Sequence, residues 1–193
     1  MKNDTALIVV DAQNDFVHEK GSMAIKDAIL AIPNINTLIK NYTNIYYSMD
    51  WHPKDHISFK TWPEHCVEFT WGAELHDNIL TKAQSSIYII KKGQTKMEDS
   101  YSAFGGRPDW GYYTQKDTFA NILYSKGIEN VIVCGYATDY CVYETALDST
   151  LKYNFITYLP IDACRLVYEA SIAPKIKHLA DNGVIICQTR HLI

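Results

Sequence analysis

Long apolar runs are missing from this 193-residue sequence; the one nearest the N-terminus, Ala6–Val10, meets Asp11 and Asp15 within five residues. A stretch that short serves neither as the apolar part of a secretory signal nor as a membrane span. There is also no CxxC pair, since the five cysteines (66, 134, 141, 164 and 187) form an odd, scattered set. Cys134, Cys164 and Cys187 sit in or beside apolar runs and read as buried structural thiols. Without a signal segment the expected setting is the reduced cytoplasm. Basic clusters are absent too. Eighteen Lys and Arg are spread along a chain of net charge −4 and pI about 5.9, so neither nucleic acid nor membrane is expected as a partner. No repeat, low-complexity tract or linker interrupts residues 1–193, and 47% hydrophobic residues are enough to fill the core of one domain.

What is present is an alternation of short apolar runs and helix-like stretches. Ala6–Val10, Ile45–Ser48, Ile87–Ile90, Val131–Cys134, Phe155–Leu159 and Val184–Cys187 read as buried strands, several of them nearly continuous Ile and Val. Helices are expected over roughly 25–40, 116–127, 138–152 and 166–182, with Gly127 as a stop. The pattern predicts a single doubly wound α/β domain with a six-stranded, mostly parallel sheet and helices on both faces. Residues 50–86 break the pattern with three tryptophans (51, 62, 71) and a run of histidines that includes 52, 56 and 65, and so long a loop is usually functional. In such sheets ligands bind beyond the carboxyl ends of the strands. Asp11, then Asp50 with His52, then Lys91 and Lys92, then Gly135–Cys141 each follow a strand, so their polar groups converge on one edge.

Cys141 follows a strand and opens a helix, with Thr138 as the expected N-cap. First-turn N–H groups and the helix dipole favour a thiolate there, and the same groups suit an oxyanion. A small buried thiol on a helix face is the plainer alternative, and the strand-to-helix position favours the nucleophile. Asp11, at the end of an apolar strand, is a helix cap, a ligand or a base on position alone. Strand alternation lets only one of Lys91 and Lys92 face the site; Lys92, beside Gly93, is chosen to keep the carboxylate ionised and lower the thiol pKa. Asp50 and His52, two apart on an extended segment, point the same way and with His65 suit Zn²⁺, Fe²⁺ or Mn²⁺. His56 is an extra ligand or a support, while His18, His76, His178 and His191 read as surface or structural residues. Phe16, Trp62 and Tyr101 flank these polar positions and would wall a flat ring, although aromatics are more often plain core.

Six segments carry a resemblance in order: Val10–Phe16, Asp50–Pro53, Trp62–Cys66, Lys92–Gly93, Tyr101–Phe104 and Gly135–Val142. From about residue 5 to about 188 the chain resembles the nicotinamidases (pyrazinamidases) of the isochorismatase-like cysteine hydrolases. The resemblance implies a catalytic trio of Asp11, Lys92 and Cys141 and a metal trio of Asp50, His52 and His65 holding one divalent ion, with zinc expected first. It further implies a cis peptide between Tyr136 and Ala137, an oxyanion hole of the Ala137 and Cys141 N–H groups, and a pyridine pocket of Phe16, Trp62 and Tyr101. The implied reaction turns nicotinamide into nicotinate and ammonia through a thioester, in NAD recycling; a homo-oligomer is left open. Glu68-Phe69 stands where relatives often have Gln and Gly, and Gly105–Pro108 where an acidic residue or Asn is commoner. Both departures bear on the breadth of substrate choice. The rival readings are a sister hydrolase of a ureido or carbamoyl compound or of isochorismate, which generally lacks the metal trio, and a non-catalytic ligand-binding α/β module.

Overall fold

The computed structural model describes residues 3–81, 87–110 and 118–193. Its centre is strand β1 (Thr5–Val10), whose residues Thr-Ala-Leu-Ile-Val-Val are all buried. An apolar run without alternation suits a strand covered on both faces, and β1 lies in the middle of a sheet ordered β4-β3-β2-β1-β5-β6-β8. The partners are β2 (Asn44–Asp50), β3 (Tyr88–Lys92), β4 (Arg107–Pro108), β5 (Asn130–Tyr136), β6 (Ile156–Pro160) and β8 (Ile185–Cys187). All pair in parallel except β4, which runs antiparallel on β3. The chain winds outward from β1 through β2 to β3, then returns to place β5 on the other side of β1. The switch point therefore lies between the carboxyl ends of β1 and β5, directly before Asp11 and Ala137.

The six expected strands are all found, and among the described residues the sheet has eight. The additional pair are two-residue strands, β4 on the β3 edge and β7 (Cys164–Arg165) on the end of β5. Two residues carry no periodicity, so neither leaves a trace in an apolar pattern. The helices are α1 (Asn14–Val17), α2 (Ile32–Asn41), α3 (Phe119–Ser125), α4 (Cys141–Leu147) and α5 (Ile172–Asp181). In α2 the buried residues Ile32, Ile35, Leu38 and Ile39 follow the spacing of one helix face. The helix expected over 25–40 starts later because Asp27 takes a left-handed φ of 57° and a 3₁₀ turn, Ala28–Ala31, comes first. In place of the expected start at 166, α5 begins at Ile172, and the α4 segment continues to Lys152 as a π turn. Residues 116–117 of the helix expected over 116–127 and 82–86 of the long loop lie outside the described residues. No helix among the described residues is long and apolar enough to cross a membrane.

The expected loop after β2 is present and runs over short 3₁₀ turns at Ile57–Lys60 and Trp71–Ala73. It lies over the carboxyl edge of the sheet, held by single bridges between His52 and Val67 and between Gln13 and Leu75. One glycine is dictated by the closeness of β5 to β1: a Cβ at Gly135, whose φ is +116°, would stand 2.2 Å from the Val10 carbonyl oxygen.

Candidate active and metal site

Asp11 ends β1 in a left-handed turn (φ 47°) that directs its carboxylate into the interior. Its Oδ1 accepts a 2.7 Å hydrogen bond from Ser48, and its Oδ2 lies 2.9 Å from Lys92 Nζ. That contact is not aligned as a hydrogen bond, so Oδ2 keeps a lone pair for another proton. Lys92 closes β3 and is fully buried. Its ammonium reaches Asp50 Oδ1 at 2.7 Å, the Ser100 and Tyr101 carbonyls at 3.3 and 3.2 Å, and Cys141 Sγ at 3.6 Å. Lys91 points the other way, pairing with Asp109 at 2.8 Å and covering the Trp51 ring. The alternation of a strand thus selects Lys92, as expected.

One ammonium stands between two buried carboxylates, and the charges settle unequally. Burial pushes the Asp50 carboxyl up, but Lys92 and then His52 outweigh it and hold Asp50 well below the usual carboxylate range. Burial raises Asp11 as well; Lys92 offsets only part of this and the Asp50 charge adds to it, so Asp11 ends above its ordinary value. Burial disfavours the Lys92 ammonium, yet Asp11 and Asp50 together lift it well above the ordinary lysine range. The Cys141 thiol is pushed well above its usual value by burial first, with Lys92 lowering it less than burial and the two carboxylates raise it. Burial therefore outweighs the lowering that the helix start and Lys92 were expected to give this thiol. Cys141 rests as a thiol and needs an acceptor, and an Asp11 with raised proton affinity, whose oxygen lies within 4.8 Å of the sulfur, suits that task.

Cys141 is the first residue of α4. The capping position belongs to Tyr140, without a side-chain cap; Thr138, the expected cap, is buried and its N–H donates to the Arg165 carbonyl at 2.8 Å. The pairing of β5 with β7 is continued by that bond, and the chain turns over residues 138–140, closed by the Tyr140 N–H donating to the Ala137 carbonyl at 3.0 Å. The Tyr136–Ala137 peptide is cis. Asp139, fully buried, accepts from the N–H groups of Val167 and Tyr168 at 2.9 Å each. It thereby binds the turn before Cys141 to the segment that brings Val167 into the pocket wall.

Asp50 offers its other oxygen to a second group. Oδ2 lies 3.7 Å from His52 Nε2 and 3.8 Å from His65 Nε2, and all three residues are buried. Each imidazole is oriented through its far nitrogen: His52 Nδ1 on the Gly93 carbonyl at 3.1 Å, His65 Nδ1 on the Pro63 carbonyl at 2.7 Å. With Nδ1–H donated outward, both Nε2 lone pairs face Asp50, an arrangement that fits a cation with nitrogen and oxygen ligands. Gly93 (φ +61°) is required here, since a Cβ would meet the His52 ring at 2.4 Å. His56 stacks on His52 with centroids 4.0 Å apart, and its nitrogens are taken by Ser58 Oγ at 2.7 Å and the Glu98 carbonyl at 2.9 Å. Its ring thereby braces that of His52. Of the remaining histidines, His18 lies edge-on to Trp71, His76 is buried, His178 meets the Tyr143 hydroxyl and His191 is exposed.

Asp50 joins the metal trio to the catalytic trio through Lys92, and sequence reasoning missed that bridge. Its signal is the β2–β3 register, which sets Asp50 opposite Lys92. Over the polar floor stand aromatic side chains. Phe16 tilts against His65 at 5.6 Å, and Trp62 donates to the Tyr101 hydroxyl at 3.1 Å. Tyr140, also missed, contacts both Trp62 and Tyr101, while Tyr101 is exposed at the rim. Phe16, Asp50, Trp62, His65, Tyr140 and Cys141 line one cavity.

Known proteins are similar over the whole of this arrangement. A nicotinamidase of Acinetobacter baylyi is 35% identical over 99% of this chain and 95% of its own length. A nicotinamidase/pyrazinamidase structure from Acinetobacter baumannii superposes with a TM-score of 0.88 at 34% identity, covering all of both chains. A pyrazinamidase of Pyrococcus horikoshii in complex with zinc gives 0.81 at 34% identity, covering 96% of this chain and 99% of that one. The profile of the Isochorismatase domain matches residues 5–191. With its sheet, its switch point and its length all accounted for by that match, the chain belongs to the isochorismatase domain family.

Proposed function

We propose that the chain is a nicotinamidase, a single hydrolase domain over residues 1–193 that converts nicotinamide to nicotinate and ammonia. The observation that carries this reading is one aromatic-walled cavity lined by Cys141, Asp50, His52 and His65, with the buried Lys92 and Asp11 in contact with its polar residues. The names of its relatives support the same substrate. The amide ring packs between Phe16 and Trp62. Asp11 Oδ2 takes the Cys141 proton as the sulfur attacks the amide carbon. The oxyanion faces the N–H groups of Ala137 and Cys141, the latter an amide that opens α4 and has no partner within it. Asp11 then gives its proton to the nitrogen, the C–N bond breaks, and ammonia leaves a thioester. The same carboxylate deprotonates a water that attacks the thioester; nicotinate departs and the thiol is restored.

Throughout, Lys92 stays charged and keeps Asp11 and Asp50 from repelling each other. A divalent ion, zinc by the donor set and by the zinc-bound relative, would be held by Asp50, His52 and His65, and would supply a Lewis-acidic point for the ring nitrogen. The setting is cytoplasmic, in recycling nicotinamide toward NAD, with no nucleic-acid or membrane partner and room for assembly as a homo-oligomer. Cys141→Ala tests the nucleophile: ammonia release from nicotinamide is expected to fall by at least about a thousandfold. Release near the wild-type rate would sink the assignment.

A further inference from the structure

Gln13 sits two residues after Asp11, fully buried at the cap position of α1, yet its side chain caps nothing. It turns instead to the Asp50 backbone. Its Oε1 accepts from the Asp50 N–H at 2.8 Å, and its Nε2 donates to the Asp50 carbonyl at 2.7 Å and to the Ala73 carbonyl at 2.8 Å. The reason lies in the sheet. The β1–β2 ladder runs in register to Val10 opposite Ser48, and Asp11 N–H still donates to the Ser48 carbonyl at 3.0 Å. There the left-handed turn that aims Asp11 inward takes β1 away from β2. The next rung, at Asp50, would be left as a buried peptide without a partner on that side. The carboxamide of Gln13 has the donor and acceptor of a peptide, and it occupies the rung that the main chain has vacated.

We infer that Gln13 is a positioning residue, setting the metal-binding carboxylate and its loop against the strand that carries the base. One amide holds both ends of the segment that bears His52 and His65, its start at Asp50 and its finish at Ala73. The next two residues work on the same segment: Asn14 donates to the Trp71 carbonyl at 2.8 Å, and Asp15 accepts from the Cys66 N–H, beside His65, at 2.7 Å. Only Gln13 touches the backbone of Asp50, the residue that faces Lys92 with one oxygen and the two imidazoles with the other. A shift of that peptide moves both contacts together.

The inference rests on the metal reading above, and the experiment separates the two. Zinc affinity of the metal-stripped, folded protein is measured by competition with a chromophoric chelator, in the wild type, Gln13→Met, Gln13→Glu and Asp50→Ala. Methionine keeps the length of glutamine and removes all three hydrogen bonds, and zinc affinity is expected to fall by about ten- to a hundredfold. Alkylation of Cys141 by iodoacetamide in the metal-free state is expected to stay within about twofold, because Asp11 and Lys92 are held by strand ladders and Cys141 by α4, none of which bonds to Gln13. A merely structural role would lower stability and leave the affinity of folded protein unchanged. Glutamate in this buried place beside Asp50 is held protonated and can accept once and donate once. Gln13→Glu is therefore expected between methionine and wild type, and it decides the matter if Gln13→Met does not fold. Zinc affinity within twofold of wild type in the folded Gln13 variants, together with its loss in Asp50→Ala, would overturn the inference alone. A wild type that binds no zinc, or an Asp50→Ala that binds it equally well, would remove the metal reading and the inference with it.

Discussion

The two halves of the site are built by different means. Asp11 directly follows β1 and Lys92 ends β3, both carried by parallel ladders through the centre of the sheet, while Cys141 opens α4, which follows β5 after one turn. His52 and His65 lie on a segment that has only short 3₁₀ turns and single bridges, so its shape comes from side-chain hydrogen bonds: Gln13, Asn14 and Asp15 from one side, His56 stacked from the other. A ladder repeats its hydrogen bonds at every residue, whereas a clamped loop depends on a few. Damage to the strand half should therefore reach the fold, and damage to the loop half should reach the metal.

The largest effect is expected from Lys92→Met. Removing the ammonium leaves Asp11 and Asp50 facing each other in the interior, and breaking a buried ion pair in this way costs about 3–5 kcal/mol. Urea unfolding of the metal-free protein at pH 7 measures it, and ammonia release is expected to fall more than about a thousandfold. The pH dependence has a definite sign. In the wild type the depressed Asp50 contributes stability that is present above the unfolded carboxylate pKa and is lost as pH falls. In the variant the two carboxyls are raised and oppose folding once the unfolded chain ionises. The gap between variant and wild type should widen from pH 4 to pH 8; a gap that stays constant would show that Lys92 contributes packing rather than charge.

His65→Ala supplies the contrast. In the metal-free protein its hydrogen bond to the Pro63 carbonyl, its ring contacts and its approach to Asp50 Oδ2 are lost, and burial already holds this imidazole below its ordinary pKa. The expected cost is about 1 kcal/mol in urea, against a fall in zinc affinity of at least about a hundredfold. If the metal-free variant unfolds as readily as Lys92→Met, the loop is part of the cooperative core and the contrast fails.

This difference also explains what could be read from the sequence. The six principal strands lie within one or two residues of the apolar runs, because a strand buried on both faces announces itself as unbroken Ile and Val. The observed β2 extends past Ser48 to Asp50, and β3 to Lys92, since their last residues are polar and point into the site. Asp11, Lys92 and Cys141 were legible because strand ends in a doubly wound sheet meet by topology. The clamp was not legible. Nothing in Gln13-Asn14-Asp15 states that a carboxamide will replace a missing rung, for the vacancy arises only when β1 turns away at Asp11. Asp139 escaped notice for a similar reason, as its partners lie 28 and 29 residues further on. That burial outweighs Lys92 at the Cys141 thiol was not legible either, because a helix start and a lysine are visible in sequence, while complete burial beside two carboxylates is not.

The smallest expected effect tests whether the loop is shaped from outside. Phe69 takes a left-handed φ of 63° and leaves 85% of its surface exposed, touching the Trp51 ring edge-on at 5.5 Å. A side chain with a Cβ pays about 1–2 kcal/mol in that region, and so exposed a ring returns little by burial. A loop that followed its own preferences would not place phenylalanine there; one pinned at Asp50, Cys66, Trp71 and Ala73 leaves it no choice. Phe69→Gly and Phe69→Ala divide the effect, since both lose the ring and only glycine loses the Cβ. Glycine is expected to be more stable than alanine by about 1 kcal/mol in urea unfolding, with zinc affinity the same in both. Were alanine the more stable, the segment would have to relax out of the left-handed turn when the ring is gone. Its shape would then come from Phe69 against Trp51, not from the clamps on the far side.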